Sequence, residues 1–227
     1  MRQGLLSILL LVAAVQTQAQ DDVEYRMEVG AGAGLVSYLG DFNGSVVKNM
    51  QPMGSLVWRW VFNPRMGLRA KGSYGKLKGA SADVQTYYPD MQDKPYEFNH
   101  SLGDLGVTFE YNFWPYGTGR DYRGAKRLTP FIFGGVGGTY VSGGQKDVWT
   151  AHVPLGLGVK YKLGDRVNIG LEWAANFSLS DKLDGVVDPY LVKSSGLFKN
   201  TDGYSTLLVT LTYSFQAKCR TCHNDAE

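Results

Sequence analysis

The sequence predicts an all-β fold: an eight-stranded antiparallel transmembrane β-barrel of the outer membrane, with both termini periplasmic. Three observations carry this expectation. Apolar and polar residues alternate at period two in eight stretches, the signature of strands with two unlike faces. The apolar face is rich in large aromatic residues, while the opposite face carries charge in strand interiors. Short and long connections alternate along the chain, as they do between the two ends of an outer-membrane barrel.

The chain of 227 residues opens on a secretory signal. Arg2 gives a positive start, Leu5 to Val15 is an apolar run of 11 residues, and Thr17-Gln18-Ala19 supplies the small residues of a cleavage site. A spanning helix wants roughly 20 apolar residues, so residues 1–19 read as a removed signal rather than an anchor. Residues 20–215 are then the barrel and residues 216–227 a periplasmic tail. There are 29 Gly beside 14 Tyr, 10 Phe and 5 Trp, a balance suited to a membrane β-protein. With 23 basic and 21 acidic side chains nearly cancelling, nothing points to nucleic acid as a partner. Both of the 2 Cys fall in the tail, so no disulfide framework holds the domain.

The strands follow in order. Tyr25 to Tyr38 sets Glu28, Gly30, Gly32 and Gly34 against Val29, Ala31, Ala33 and Leu35. Gly54 to Phe62 sets Leu56, Trp58, Trp60 and Phe62 against Ser55 and Arg59. Met66 to Tyr74 sets Leu68, Ala70 and Tyr74 against Arg69, Lys71 and Ser73. Alternation is cleanest from Leu105 to Phe113, where Leu105, Val107, Phe109, Tyr111 and Phe113 oppose Gly106, Thr108, Glu110 and Asn112. Phe131 to Val141 is so glycine-rich that alternation does not separate its faces. His152 to Leu163 sets Val153, Leu155, Leu157, Val159 and Tyr161 against His152, Gly156, Gly158, Lys160 and Lys162. Val167 to Ser178 opposes Ile169, Leu171, Trp173 and Phe177 to Asn168, Gly170, Glu172 and Asn176. Ser205 to Phe215 closes the series, with Leu207, Val209, Leu211 and Tyr213 against Thr206, Thr210, Thr212 and Ser214.

Asn63-Pro64-Arg65 and Gly164-Asp165-Arg166 have the residues of tight turns. The links around 40–51, 79–99, 142–151 and 179–203 are long and polar, and residues 114–128 make a medium link where a tight turn is expected. A soluble β-sandwich or a lipocalin-like barrel also alternates. Either would bury the charged face as its core, whereas an inverted barrel turns that face to its lumen. The expected lumen network is Glu28, Arg59, Arg69, Lys71, Asp104, Glu110, Lys160, Lys162 and Glu172. Trp58, Trp60, Tyr111, Phe113, Trp173, Tyr213 and Phe215 are the expected interface girdle, against outer-membrane lipid. Eight strands enclose a space that side chains fill, so paired charges there form a plug rather than a conducting path.

Few residues carry the pattern of chemistry. Cys219-Arg220-Thr221-Cys222-His223 matches the attachment motif for c-type haem. The 12 residues after Phe215 are too few to enclose a porphyrin, so no cofactor is expected. An oxidised Cys219–Cys222 pair, a zinc sharing a partner's ligand and a docking tail stay open; zinc suits the three ligands of the tail least. His100 and Asp104 share a face near one strand end, and His152 lies near that end of another. A base and a carboxylate there could serve a rim enzyme, but hydrogen bonding within the lumen is the simpler role, and no catalytic residue is assigned. Arg120, Arg123, Lys126 and Arg127 crowd the link between the fourth and fifth strands, beside the tail, where they would meet an acidic partner, lipid phosphate or solvent.

A set of short stretches recurs in order along the chain. They include Tyr38-Leu39-Gly40-Asp41, Phe62-Asn63-Pro64-Arg65, Asp104-Leu105-Gly106-Val107 and Phe113-Trp114-Pro115-Tyr116-Gly117. Tyr122-Arg123-Gly124-Ala125-Lys126-Arg127, Pro154-Leu155-Gly156-Leu157-Gly158, Ser180-Asp181-Lys182-Leu183-Asp184 and the Cys219 to Asn224 tail continue the set. Together they resemble the PorG family, the outer-membrane barrel of the type IX secretion system. The resemblance implies a non-enzymatic role: docking a periplasmic ring of a PorK-like lipoprotein and its PorN-like partner, with no small-molecule substrate. The docking set it suggests is Arg120, Arg123, Lys126, Arg127, Cys219, Cys222 and His223. The alternative is a stand-alone barrel acting as an adhesin or envelope-integrity protein. Its reach would come from the loop Asp83 to Asn99, where Tyr87, Tyr88, Pro89 and Tyr96 have the character of a recognition surface.

Overall fold

A computed structural model describes residues 23–39, 49–80, 97–118, 125–143, 147–179 and 203–217. The signal segment, Arg120, Arg123, Cys219, Cys222, His223 and the Tyr87, Tyr88 and Tyr96 of the long loop lie outside the described residues. The strands are β1 (Tyr25–Leu39), β2 (Gln51–Asn63), β3 (Met66–Ala80), β4 (Glu97–Asn112), β5 (Leu128–Ser142), β6 (Val148–Lys162), β7 (Val167–Ser178) and β8 (Gly203–Ala217). Each pairs antiparallel with the next, and β1 pairs with β8 from Tyr25↔Ala217 to Leu39↔Gly203. The sheet is therefore closed, and no strand edge is left to seek a partner in lipid.

The outer wall is apolar. Leu56, Trp58, Leu105, Val136, Leu157, Leu171, Val209 and Leu211 are exposed on it, while Glu28, Arg59, Arg69, Glu110, Lys160 and Glu172 are buried inside. This polarity is the reverse of a soluble barrel and is that of a transmembrane β-barrel. Two kinds of filling share the lumen. Charged side chains occupy the half nearer the chain termini. Val36, Tyr38, Met53, Leu77, Phe98, Leu102, Val141, Tyr204 and Leu208 form an apolar cluster in the half nearer the long links.

Several strands run further than alternation indicates. β3 continues to Ala80 and β4 begins at Glu97, where an end at Tyr74 and a start at Leu105 are read from the sequence. The reason is a local return to ordinary polarity. On β4 the exposed residues Glu97 and Asn99 flank the buried Phe98, and on β3 the exposed Lys76 precedes the buried Leu77. A strand needs only about 9–11 residues to cross the hydrocarbon, and the 15 residues of β3 and 16 of β4 carry the barrel beyond it. The link expected at 142–151 shrinks accordingly to the segment between Ser142 and Val148. In β5, whose faces alternation does not separate, Phe131 and Phe133 face the lumen while Ile132 and Val136 face outward.

Glycines shape the closure. A Cβ on Gly30 or Gly34 would stand 2.1 or 2.0 Å from a carbonyl oxygen of β8, and one on Gly135 would stand 2.0 Å from the Val107 oxygen. Only a residue without a side chain permits these approaches. The two seams, β1–β8 and β4–β5, lie half-way round the barrel from each other.

Candidate functional site

Period two puts one inward residue at every second position, so long side chains from all walls converge on the axis. Glu110 of β4 is the hub. Its carboxylate accepts from Arg59 of β2 at both oxygens (Nε to Oε2 2.7 Å, Nη2 to Oε1 3.2 Å), a two-point fork. Lys160 of β6 reaches it at 2.5 Å and Arg69 of β3 at 3.2 Å. Arg59 also pairs with Glu28 of β1, and Arg69 with Glu172 of β7. Lys71 Nζ lies 3.4 Å from Glu172. The chain Glu28–Arg59–Glu110–Arg69–Glu172–Lys71 thus ties five strands together across the lumen, with Lys160 adding a sixth.

Two features complete it. The Arg69 guanidinium lies 4.2 Å over the Phe133 ring and the Lys160 ammonium 4.2 Å over the Phe131 ring, so the cations have aromatic faces where no carboxylate reaches. These rings occupy the space left by Gly156 and Gly158: a Cβ there would approach Phe133 Cζ to 2.3 Å and Phe131 Cε1 to 2.7 Å. Sequence reading missed both phenylalanines. The available signal was the pair of glycines on the polar face of β6, two absent side chains on a lumen wall that must be filled from opposite.

Lys162 stands apart from the network. It lies 3.5 Å from Asn168 Oδ1 and near the rings of Tyr25 and Tyr116. Tyr116 comes from the link after β4, and its hydroxyl donates to Asn168 Oδ1 at 3.0 Å. That link folds back over the mouth, with Tyr116 and Lys126 forming a β-bridge. Burial raises the Tyr116 phenol above its ordinary range, and the nearby Glu28 carboxylate adds to this. Beneath lies a small hollow lined by Glu24, Tyr25, Glu28, Asn112, Lys160 and Lys162, with room for about two waters.

Asp104 belongs to a different group. It accepts from the Tyr204 hydroxyl and sits 3.1 Å from His152 Nε2. His152 Nδ1 is 2.9 Å from Thr139 Oγ1, which is 3.1 Å from the Tyr204 hydroxyl. The structure brings Asp104 and His152 together but leaves His100 against Phe98, with ring centroids 5.1 Å apart. His152 is 2% exposed, and Tyr204 continues into the apolar cluster. The geometry is that of a satisfied polar knot. Among the described residues no group of His, Cys, Asp and Glu has the arrangement to hold a metal. Of the expected docking residues, Lys126 and Arg127 are described and exposed. Lys126 Nζ lies 4.7 Å from the Trp114 ring, and Arg127 Nε donates to the Thr118 carbonyl.

A closed eight-stranded wall, apolar outside and ion-paired inside, defines a small outer-membrane β-barrel protein. Across residues 2–224 the sequence matches the family described as a domain of unknown function, DUF6089, and the chain belongs to that family. A comparison with curated proteins returns no match. Among solved structures the chain is similar to neisserial surface protein A (TM-score 0.51, 14% identity, 83% of this chain and 97% of that one). Ail, the attachment invasion locus protein of Yersinia pestis, is similar over 86% of this chain and 99% of its own (TM-score 0.45, 10% identity). The outer membrane enzyme PagL matches over 83% and 99% (TM-score 0.38, 14% identity). At these identities the likeness is one of fold.

Proposed function

We propose that this protein is a non-enzymatic outer-membrane anchor of a type IX secretion machine. Its termini face the periplasm, and the same end docks the periplasmic ring formed by a PorK-like lipoprotein and its PorN-like partner. The observation that carries this reading is the filling of the lumen: an ion-paired layer and an apolar layer stacked along the axis. A barrel closed in this way works through its rims. The ordered resemblance to PorG names the partner, and the link that folds over the mouth supplies a shaped surface beside the start of the tail. Lumen charge, interface aromatics and the N-terminal signal all support placement in the outer membrane.

Affinity purification of a tagged full-length chain from gently solubilised outer membranes tests the proposal. Recovery of a ring-forming lipoprotein and a periplasmic partner in amounts comparable to the barrel supports it. Recovery of the folded barrel alone rejects it. A second reading, a surface adhesin, draws on Trp149, 76% exposed and 4.8 Å from the Tyr140 ring at the long-link rim. Deleting residues 83–96 separates the two, because an anchor keeps its partners and an adhesin loses its binding.

A further inference from the structure

The described residues of the two rims differ in charge. At the rim bearing the termini, the described residues include Arg26, Arg65, Lys126, Arg127 and Arg166, with Glu24 and Asp165 as the acids. The opposite rim has Lys76 and Lys78 against Glu97 and Asp147. Among the described residues, cations outnumber acids at one end and balance them at the other. Glu24 is moreover engaged, accepting from the Thr118 hydroxyl.

Three of these cations, Lys126, Arg166 and Arg65, lie against aromatic residues of the rim. Lys126 lies over the ring of the exposed Trp114. Arg166 donates to the Tyr213 hydroxyl at 3.0 Å and stands 5.5 Å over the Tyr25 ring. Arg65 donates to the carbonyl of Phe113 at 2.7 Å, next to an outward-facing ring. Trp and Tyr settle at the headgroup level of a bilayer, so charges resting on them lie at the depth of lipid phosphates. A cation in this position attracts anionic lipid, and an arginine fork fits phosphate oxygens. A guanidinium stays protonated at any ordinary pH, so the Arg166 charge is permanent.

From this placement we infer that the terminal rim is a binding surface for anionic glycerophospholipid, with Lys126 before β5 and Arg166 in the β6–β7 turn holding headgroup phosphates along one arc of the mouth. Lys126, grouped by sequence with the docking residues, serves the membrane; the inference stands whether or not a ring docks on the link. It gives the barrel a preferred leaflet.

The test uses full-length barrel folded into vesicles of equimolar phosphatidylglycerol and phosphatidylcholine, followed by native mass spectrometry of the lipids retained. The expected result is enrichment of phosphatidylglycerol that falls about 5-fold for each cation removed in Lys126→Gln and Arg166→Gln. Arg166→Lys and Lys126→Arg restore most of it, and 0.5 M salt weakens it in the unaltered chain. Equal retention of the two lipids by the unaltered chain overturns the inference, as does enrichment that the substitutions leave unchanged. Capture of an acidic protein that depends on these two residues, without lipid enrichment, also overturns it and assigns the rim to a protein partner.

Discussion

Glu110→Ala is the perturbation that probes the lumen most sharply. Glu110 is 1% exposed and meets Arg59 at 2.7 Å, Arg69 at 3.2 Å and Lys160 at 2.5 Å. Without it, Arg59 keeps Glu28 and Arg69 keeps Glu172, but Lys160 loses the carboxylate it bonds and is left over the Phe131 ring. Breaking a buried pair by removing one member costs about 3–5 kcal/mol, since a charge is left without compensation. The variant should therefore unfold at clearly lower urea concentration when folded into lipid vesicles. Tryptophan fluorescence and the gel-mobility shift of the folded barrel both report this. Adding Lys160→Met removes the stranded cation and should return part of the loss. Neither variant should conduct in a planar bilayer, because the apolar layer around Leu77, Leu102 and Leu208 remains. A single-variant loss within about 0.5 kcal/mol, the range of an ordinary surface substitution, would refute the view that this network holds the lumen together.

Further outcomes concern glycine packing, an exposed carboxyl and the tail. Gly156→Ala should destabilise the barrel by about 1–3 kcal/mol through overpacking against Phe133, whereas Gly138→Ala, with open space at its Cβ, should be neutral; urea titration compares them. The Asp147 carboxyl is held below its ordinary pKa by hydrogen bonds from the Tyr140 and Ser142 hydroxyls (2.7 and 2.8 Å). A depressed acid contributes above its unfolded pKa and loses that contribution as pH falls through the folded one. The fluorescence of Trp149 should thus hold steady from neutral pH downward and change below about pH 4, a change that Asp147→Asn abolishes. Cys219→Ser with Cys222→Ser should leave the mobility shift of the inserted barrel unchanged while reducing co-purification of the proposed ring; failure to insert would assign the pair to the barrel itself.

The fold was legible where lipid imposes its rule. From Leu105 to Phe113 each outward residue must be apolar and each inward one polar or small, so period two shows in the residues themselves. Beyond the bilayer both walls meet water and the rule lapses. Phe98 and Leu102 turn inward beside Glu97 and Asn99, and a reader following membrane polarity stops short of Glu97. The nine lumen charges were legible for the same reason: a charge inside an alternating strand has only one wall to occupy. Their partners were not, because pairing depends on register and shear around the closed wall. Nothing in the separation of Arg69 and Glu172 by 103 residues signals their contact. Asp104 and His152 share this limit, since their contact beside Tyr204 also depends on register. In β5 the glycines hid the faces, since Gly134, Gly135, Gly137 and Gly138 mark neither wall.

We propose that the end bearing the termini docks a periplasmic ring. Site-specific photo-crosslinking in intact cells tests it most directly, with the reactive residue placed at Arg127 on the link or at Trp149 on the opposite rim. The account predicts adducts from position 127 with a periplasmic lipoprotein or its ring partner, and none of these from position 149. Ring adducts from 149 alone, or no protein adduct from 127 in a correctly inserted barrel, would contradict it.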